Sequence, residues 1–186
     1  MRGGERAAVC LAMGVALVLG TAGGAAAYSV SVAASGDVTP DGDYLGMMFS
    51  SPWVNESGQV LFKSDVSAPA WGYGLYLYDN VSGIAGVAVD GHAAPGGTWM
   101  VGMTDTYSLN NLGQVAFHAD VDQAPMGMKH GIFRSDGTGV TPLVWDGDPA
   151  PNTGGTFSLM MSTVPPAMND LGEVVFYSSV MGSIRP

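Results

Sequence analysis

A nine-residue pattern occurs three times along the chain: VNESGQVLF (Val54–Phe62), LNNLGQVAF (Leu109–Phe117) and MNDLGEVVF (Met168–Phe176). Aligned on the asparagine, the copies fall at Asn55, Asn110 and Asn169, spaced 55 and 59 residues apart. A second landmark keeps step with them: SGDVTP (Ser35–Pro40), DGHAAP (Asp90–Pro95) and DGDPAP (Asp146–Pro151), with prolines 55 and 56 apart. A third occurs twice, as GLYLYD (Gly74–Asp79) and GIFRSD (Gly131–Asp136). Landmarks recurring in one order at one period mark tandem duplication, which restricts the chain to folds whose like units pack on one another.

Each landmark has a physical task. In Asn-x-x-Gly the asparagine side chain bonds the backbone two residues on. The glycine (Gly58, Gly113, Gly172) supplies a positive φ, so four residues reverse the chain. The segments that follow, 59–62, 114–117 and 173–176, read as strands. Val60 and Phe62 face one way and Leu61 the other, and apolar residues on both faces predict a strand held between two layers. The next residue is Lys63, His118 or Tyr177, a variable position expected to leave the core. Further strands are predicted over 74–78 and 131–134, 84–89 and 140–145, and 98–103 and 156–161, with DNVSG and SDGTG as turns. Met47, Met48, Met100, Met103, Met160 and Met161 recur ahead of the Asn-x-x-Gly turn, as gap-filling core residues would.

Four short antiparallel strands per period of about 55 residues is the recipe of a propeller blade or a related array. The expected fold is all-β: tandem four-stranded antiparallel repeats, propeller-like but open. About two and a half repeats are expected, over 36–90, 91–146 and a partial 147–186. The sequence ends ten residues after Phe176, and no further strand is expected there. Such a set falls short of the roughly four blades a propeller needs to close. Apolar sheet faces left open at the ends predict self-association, and a truncated remnant of a longer repeat protein is a further reading.

The opening residues have a different character. Arg2 and Arg6 precede an apolar run from Ala7 to Gly20, and Ala25-Ala26-Ala27 has the small side chains a signal peptidase requires. Residues 1–27 are therefore expected to be a signal peptide, leaving a domain of residues 28–186 that is secreted to the periplasm, cell surface or medium. An uncleaved anchor is the rival, since 7–27 is just long enough to span a bilayer. Cys10 lies inside the removed segment, so no disulfide, thiolate metal site or cysteine nucleophile is expected afterwards. No membrane span is expected after cleavage.

With the intervening GIF and GDPAP, the three copies resemble the tandem-repeat NxxGxxAF family of exported bacterial "choice-of-anchor" proteins. The alanine of that pattern is Leu61, Ala116 and Val175 here. The layout is also similar to the propeller repeats of TolB-type proteins. The resemblance implies an exported β-repeat protein and assigns no catalytic residue.

Chemistry is sparse. From residue 28 onward four Lys/Arg stand against fifteen Asp/Glu, a balance that repels phosphate backbones and argues against nucleic acid as a partner. The acidic turns containing Asp41 and Asp43, and Asp146 and Asp148, are the candidate metal ligands. The ion they would hold is a structural calcium, although they lack the EF-hand spacing and Asp-Gly pairs are what turns prefer anyway. No cofactor is otherwise expected. His92, His118 and His130 show no zinc-binding spacing, and no nucleophile elbow is present. Trp53, Trp71, Trp99 and Trp145 could offer faces to a sugar. Trp99 aligns with Phe157, which places it in the core, and Trp71 precedes a strand, which favours exposure. The expectation is a non-enzymatic binding or structural module of the surface or envelope, with a carbohydrate or protein ligand. A propeller enzyme acting on extracellular polysaccharide, with loop carboxylates as acid and base, is the alternative.

Overall fold

A computed structural model describes residues 14–19, 28–67, 71–102, 105–160 and 163–182. Arg2, Arg6, Cys10, Ala25–Ala27, Met103, Met161 and Arg185 lie outside them. The fold is all-β, with a sheet curled into half a barrel and no helix among the described residues. Among the described residues no helix is long and apolar enough to cross a membrane.

Strands β1 (Gly14–Leu19) and β2 (Tyr28–Ala34) pair antiparallel. A first sheet follows from β3 (Leu45–Phe49), β4 (Trp53–Val54), β5 (Val60–Val66), β6 (Gly72–Asp79) and β7 (Gly83–Val89). Its order is β3-β5-β6-β7, with β4 on the other half of β5, so the edge beside β5 is one strand broken in two. The second sheet repeats this plan. β9 (Gly97–Met100) and β10 (Tyr107–Leu109) make the broken edge, β8 (Ala93–Ala94) pairs with the outer side of β9, and β11 (Val115–Asp122), β12 (Met128–Ser135) and β13 (Val140–Trp145) complete the sheet in the order β8-β9-β11-β12-β13. Beyond it lie β14 (Thr156–Ser158), β15 (Ala167–Met168), β16 (Val174–Val175) and β17 (Ser179–Met181), which pair as β15-β16 and β14-β17.

The alternation of side chains places the core in layers between these sheets. Leu61 and Leu75 of the first sheet meet Trp99, Phe117, Val121 and Phe133 of the second. On the outer side of the first sheet, Val60, Phe62, Tyr76 and Val89 pack with Val32 and Ala33 of β2. Ile132 and Val144 turn the other way, toward Leu159, Phe157 and Phe176. Both faces of β5 are sealed, with Val60, Leu61 and Phe62 at most 2 % exposed. One aromatic pair recurs at matching places: Phe62 on Tyr76 at 5.7 Å and 28°, and Phe117 on Phe133 at 5.6 Å and 27°.

Three expectations are corrected. A strand does follow Phe176: β17 pairs with β14, setting Val180 against Phe157 as Val121 is set against Trp99. Three residues suffice because the partner edge is already in place. The position after the phenylalanine does not leave the core at Lys63, which is 4 % exposed. Strand alternation aims Lys63 toward the second sheet; its ammonium meets Asp105 Oδ1 at 3.1 Å and lies 5.6 Å from the centre of the Tyr73 ring of its own sheet. Burial lowers its pKa, and the hydrogen bond to Asp105 opposes that shift. Of the methionines, Met47, Met100 and Met160 are exposed; at Met100 and Met160 the neighbours Trp99, Val101 and Leu159 take the inward positions.

Candidate functional site

The Asn-x-x-Gly turns lie on top of one another. Within each turn the asparagine carboxamide oxygen accepts two backbone N–H groups: Ser57 and Gln59 at Asn55, Leu112 and Gln114 at Asn110, and Leu171 and Glu173 at Asn169, all at 2.9–3.1 Å. The carboxamide nitrogen donates to the side chain four residues on, and then across to the next turn. Asn55 Nδ2 reaches the Asn110 carbonyl at 2.9 Å, and Asn110 Nδ2 reaches the Asn169 carbonyl at 3.0 Å. A parallel rung runs beside it, from Glu56 N–H to Asn111 Oδ1 at 3.1 Å and from Asn111 N–H to Asp170 Oδ1 at 2.9 Å. The repeated residues are thus engaged in holding one turn to the next.

Contact between the turns can be separated from turn geometry. Gly58 and Gly113 both have φ near +76°, but a Cβ on Gly58 would meet nothing within 4 Å, whereas on Gly113 it would lie 2.7 Å from Gln59 Oε1. That carboxamide is held by Asn55 at 2.7 Å and by Asp79 at 3.2 Å, so displacing it breaks two hydrogen bonds. Gly58→Ala is expected to cost about 1–2 kcal/mol for the left-handed backbone. Gly113→Ala should cost a further 1–2 kcal/mol or so through the lost hydrogen bonds. Urea unfolding of both variants measures this, and equal losses would show that successive turns do not bear on each other.

Beside the ladder, at the junction of the two large sheets, is a groove of about 390 Å³ lined by Gln59, Leu77, Asp79, Leu112, Gly113 and Asp136. Its two carboxylates sit at matching places, Asp79 at the end of β6 and Asp136 directly after β12. The backbone N–H of Val81 chiefly lowers the pKa of Asp79, and the hydroxyl of Thr138 chiefly lowers that of Asp136. Both are anionic, so the groove suits a neutral or cationic ligand rich in hydroxyl or amino donors.

The acidic turns fulfil structural tasks. Asp146 Oδ1 accepts Leu159 N–H at 2.7 Å, and Asp148 Oδ2 accepts Trp145 N–H at 2.8 Å. Asp43 is buried, bonded by Thr39 and by His92 Nε2 at 3.1 Å. Asp41 is exposed, beside Gly86. None of these four belongs to a gathered set of three ligands among the described residues. Of the tryptophans, Trp71 is 81 % exposed, Trp53 is exposed, Trp99 is buried, and Trp145 is half-buried under Lys129 Nζ at 5.1 Å.

The structure brings together three residues that helical spacing rules overlook. His118 and Asp120, two apart on β11, share a face, and the hairpin sets His130 of β12 opposite Asp120. One ligand atom from each lies within 4.8 Å of the others. His130 Nδ1 and Asp120 Oδ1 are 2.5 Å apart, and the two imidazoles lie nearly parallel with centres 6.2 Å apart. His118 is half-buried, and its Nε2 is enclosed without a hydrogen-bond partner. Burial lowers its pKa, with Asp120 opposing. The expectation of a substitution-tolerant surface residue at His118 is corrected, because the strand's alternate face here is covered. The legible signal was His-x-Asp on a strand, followed by a turn centred near Pro125 that pairs residue 120 with residue 130.

Comparison with curated proteins and with solved structures gives no match. A family model matches residues 20–184, which include both large sheets, the three turns and the histidine cluster. The chain therefore belongs to the family described as Family of unknown function (DUF7453).

Proposed function

We propose that the chain is an exported, non-enzymatic binding module built of tandem four-stranded units stacked in a propeller-like, open array. The ladder joining Asn55, Asn110 and Asn169 carries this reading. The residues that recur are engaged in turn-to-turn hydrogen bonds, so repetition serves the scaffold, and recognition falls to the loops and grooves between units. The junction groove with Asp79 and Asp136 is the ligand site in this reading, and exposed Trp71 a separate stacking face. An envelope or extracellular carbohydrate fits both, through its hydroxyl donors and its apolar ring faces. Export by cleavage after Ala27 would leave β2 at the start of the domain, with Val32 and Ala33 still in the outer core layer.

Incubation of the purified chain with cell-wall and exopolysaccharide preparations tests the reading. Retention of intact glycan is expected, with Asp79→Asn and Asp136→Asn together weakening it by about tenfold, the loss of one or two charge-assisted hydrogen bonds. Steady release of shortened saccharide would replace it with the hydrolase alternative. Absence of retention would remove carbohydrate as the ligand.

A further inference from the structure

The two junctions of the stack treat one position differently. Lys63, Asp65 and Tyr73 of the first sheet occupy the places that His118, Asp120 and His130 occupy in the second, by the register of each hairpin. At the first junction Lys63 brings a fixed cation, answered by Asp105, which lies five residues before Asn110. Five residues before Asn169 the chain has Val164, which brings no charge. The second junction therefore exchanges an ammonium–carboxylate pair between sheets for two imidazoles and a carboxylate on a single hairpin.

Protons alone leave this set incomplete. Asp120 and His130 satisfy each other, but His118 Nε2 remains enclosed without a partner, an unfavourable situation for a buried polar group. A cation placed among the three residues would complete the coordination of all of them.

We propose that His118, Asp120 and His130 bind a divalent first-row transition ion of the zinc class. Two imidazole nitrogens with one carboxylate oxygen is a donor set for zinc, cobalt or nickel; calcium and magnesium call for oxygen ligands throughout. The ligand atoms lie within 4.8 Å of one another, and in a tetrahedral site with 2.0–2.1 Å bonds they would lie about 3.3 Å apart. Small rotations of the side chains, on a hairpin whose backbone pairing is continuous over eight residues of each strand, close that difference. Metal and protons compete for the same imidazole and carboxylate atoms, so binding weakens in acid. Three protein ligands leave a further position for water or a ligand donor. This site is independent of the glycan groove, and either proposal can fail without the other.

Chelator-treated full-length protein titrated with Co²⁺ and Zn²⁺ tests it. One ion per chain is expected, with a visible cobalt absorption displaced by zinc, a raised thermal midpoint with zinc and no shift with calcium. His118→Gln, Asp120→Asn and His130→Gln should each weaken binding at least about 100-fold, while His92→Gln, a histidine outside the cluster, should leave it unchanged. Circular dichroism establishes that the variants are folded. Asp120→Asn, which keeps the side chain's shape, serves if a histidine variant does not fold. Failure to retain zinc or cobalt at micromolar concentration, or undiminished binding in folded Asp120→Asn and His130→Gln, overturns the proposal.

Discussion

Phe133→Ala is expected to remove about 3–5 kcal/mol of stability, the range for emptying a fully buried aromatic site. Phe133 is wholly inaccessible, on the face of β12 turned to the first sheet. Its ring stacks on Phe117 at 5.6 Å and takes the edges of Trp99 at 4.9 Å and Trp145 at 5.1 Å. Each such aromatic contact adds about 0.5–1.5 kcal/mol beyond the area it buries. Three large rings held by continuous strands cannot collapse into the space left by a fourth. Against a typical stability of about 5–15 kcal/mol, this single change is a large fraction of the whole. Phe176→Ala supplies the comparison, since that ring is half-buried and meets Phe157 alone among the aromatic pairs of the described residues. It should cost no more than about 2 kcal/mol, in proportion to the smaller apolar area it covers. Urea unfolding with unchanged m-values measures both. Similar losses for the two would mean that the layer between the large sheets does not hold them together.

Much of this fold was legible because it depends on local rules with a short period. The Asn-x-x-Gly turns and the two apolar faces of β5 follow from residues no more than four apart, and the burial of Trp99 follows from its alignment with Phe157 in the next copy. What stayed hidden depended on the partner of a face. Lys63 resembles a surface residue until Asp105 and Tyr73, 42 and 10 residues further along the chain, are placed against it. The exposed methionines resemble core until the neighbouring Trp99 and Leu159 are seen to hold the inward places. Strand β17 is three residues long and has no turn signal of its own; only the preformed edge of β14 identifies it. The histidine cluster lay between these cases. His118 and Asp120 share a face by strand alternation, but His130 joins them only once the register of the 123–127 turn is fixed.

Asn110→Asp should be nearly as damaging as loss of an aromatic ring, although it changes one group for another of the same shape. Asn110 is 4 % exposed. Its oxygen already accepts two backbone N–H groups, which a carboxylate can still do, but its nitrogen donates to Gln114 Oε1 at 2.8 Å and to the Asn169 carbonyl at 3.0 Å. The Gln114 carboxamide can turn its own nitrogen inward; the Asn169 carbonyl cannot. A buried anion then faces a carbonyl oxygen, and a loss of about 3 kcal/mol at neutral pH is expected, the scale for leaving a buried charge unpaired. The sign of the pH dependence follows. Burial against an acceptor raises the carboxyl pKa in the folded chain above its unfolded value of about 3.9, so the folded state keeps a proton that the unfolded state has lost. The penalty is therefore absent below the unfolded value, grows as pH rises toward the raised folded value, and is constant above it. Unfolding curves for Asn110→Asp and the unmodified chain should converge near pH 4 and separate by pH 7. Asn169→Asp is the contrast, since Asn169 is exposed and its nitrogen donates to Glu173 Oε2, which can swing into solvent; its cost should stay below about 1 kcal/mol. A pH-independent loss at residue 110, or equal losses at 110 and 169, would mean that the asparagine nitrogen does not bind one unit to the next, and the stacked turns would no longer account for the threefold pattern.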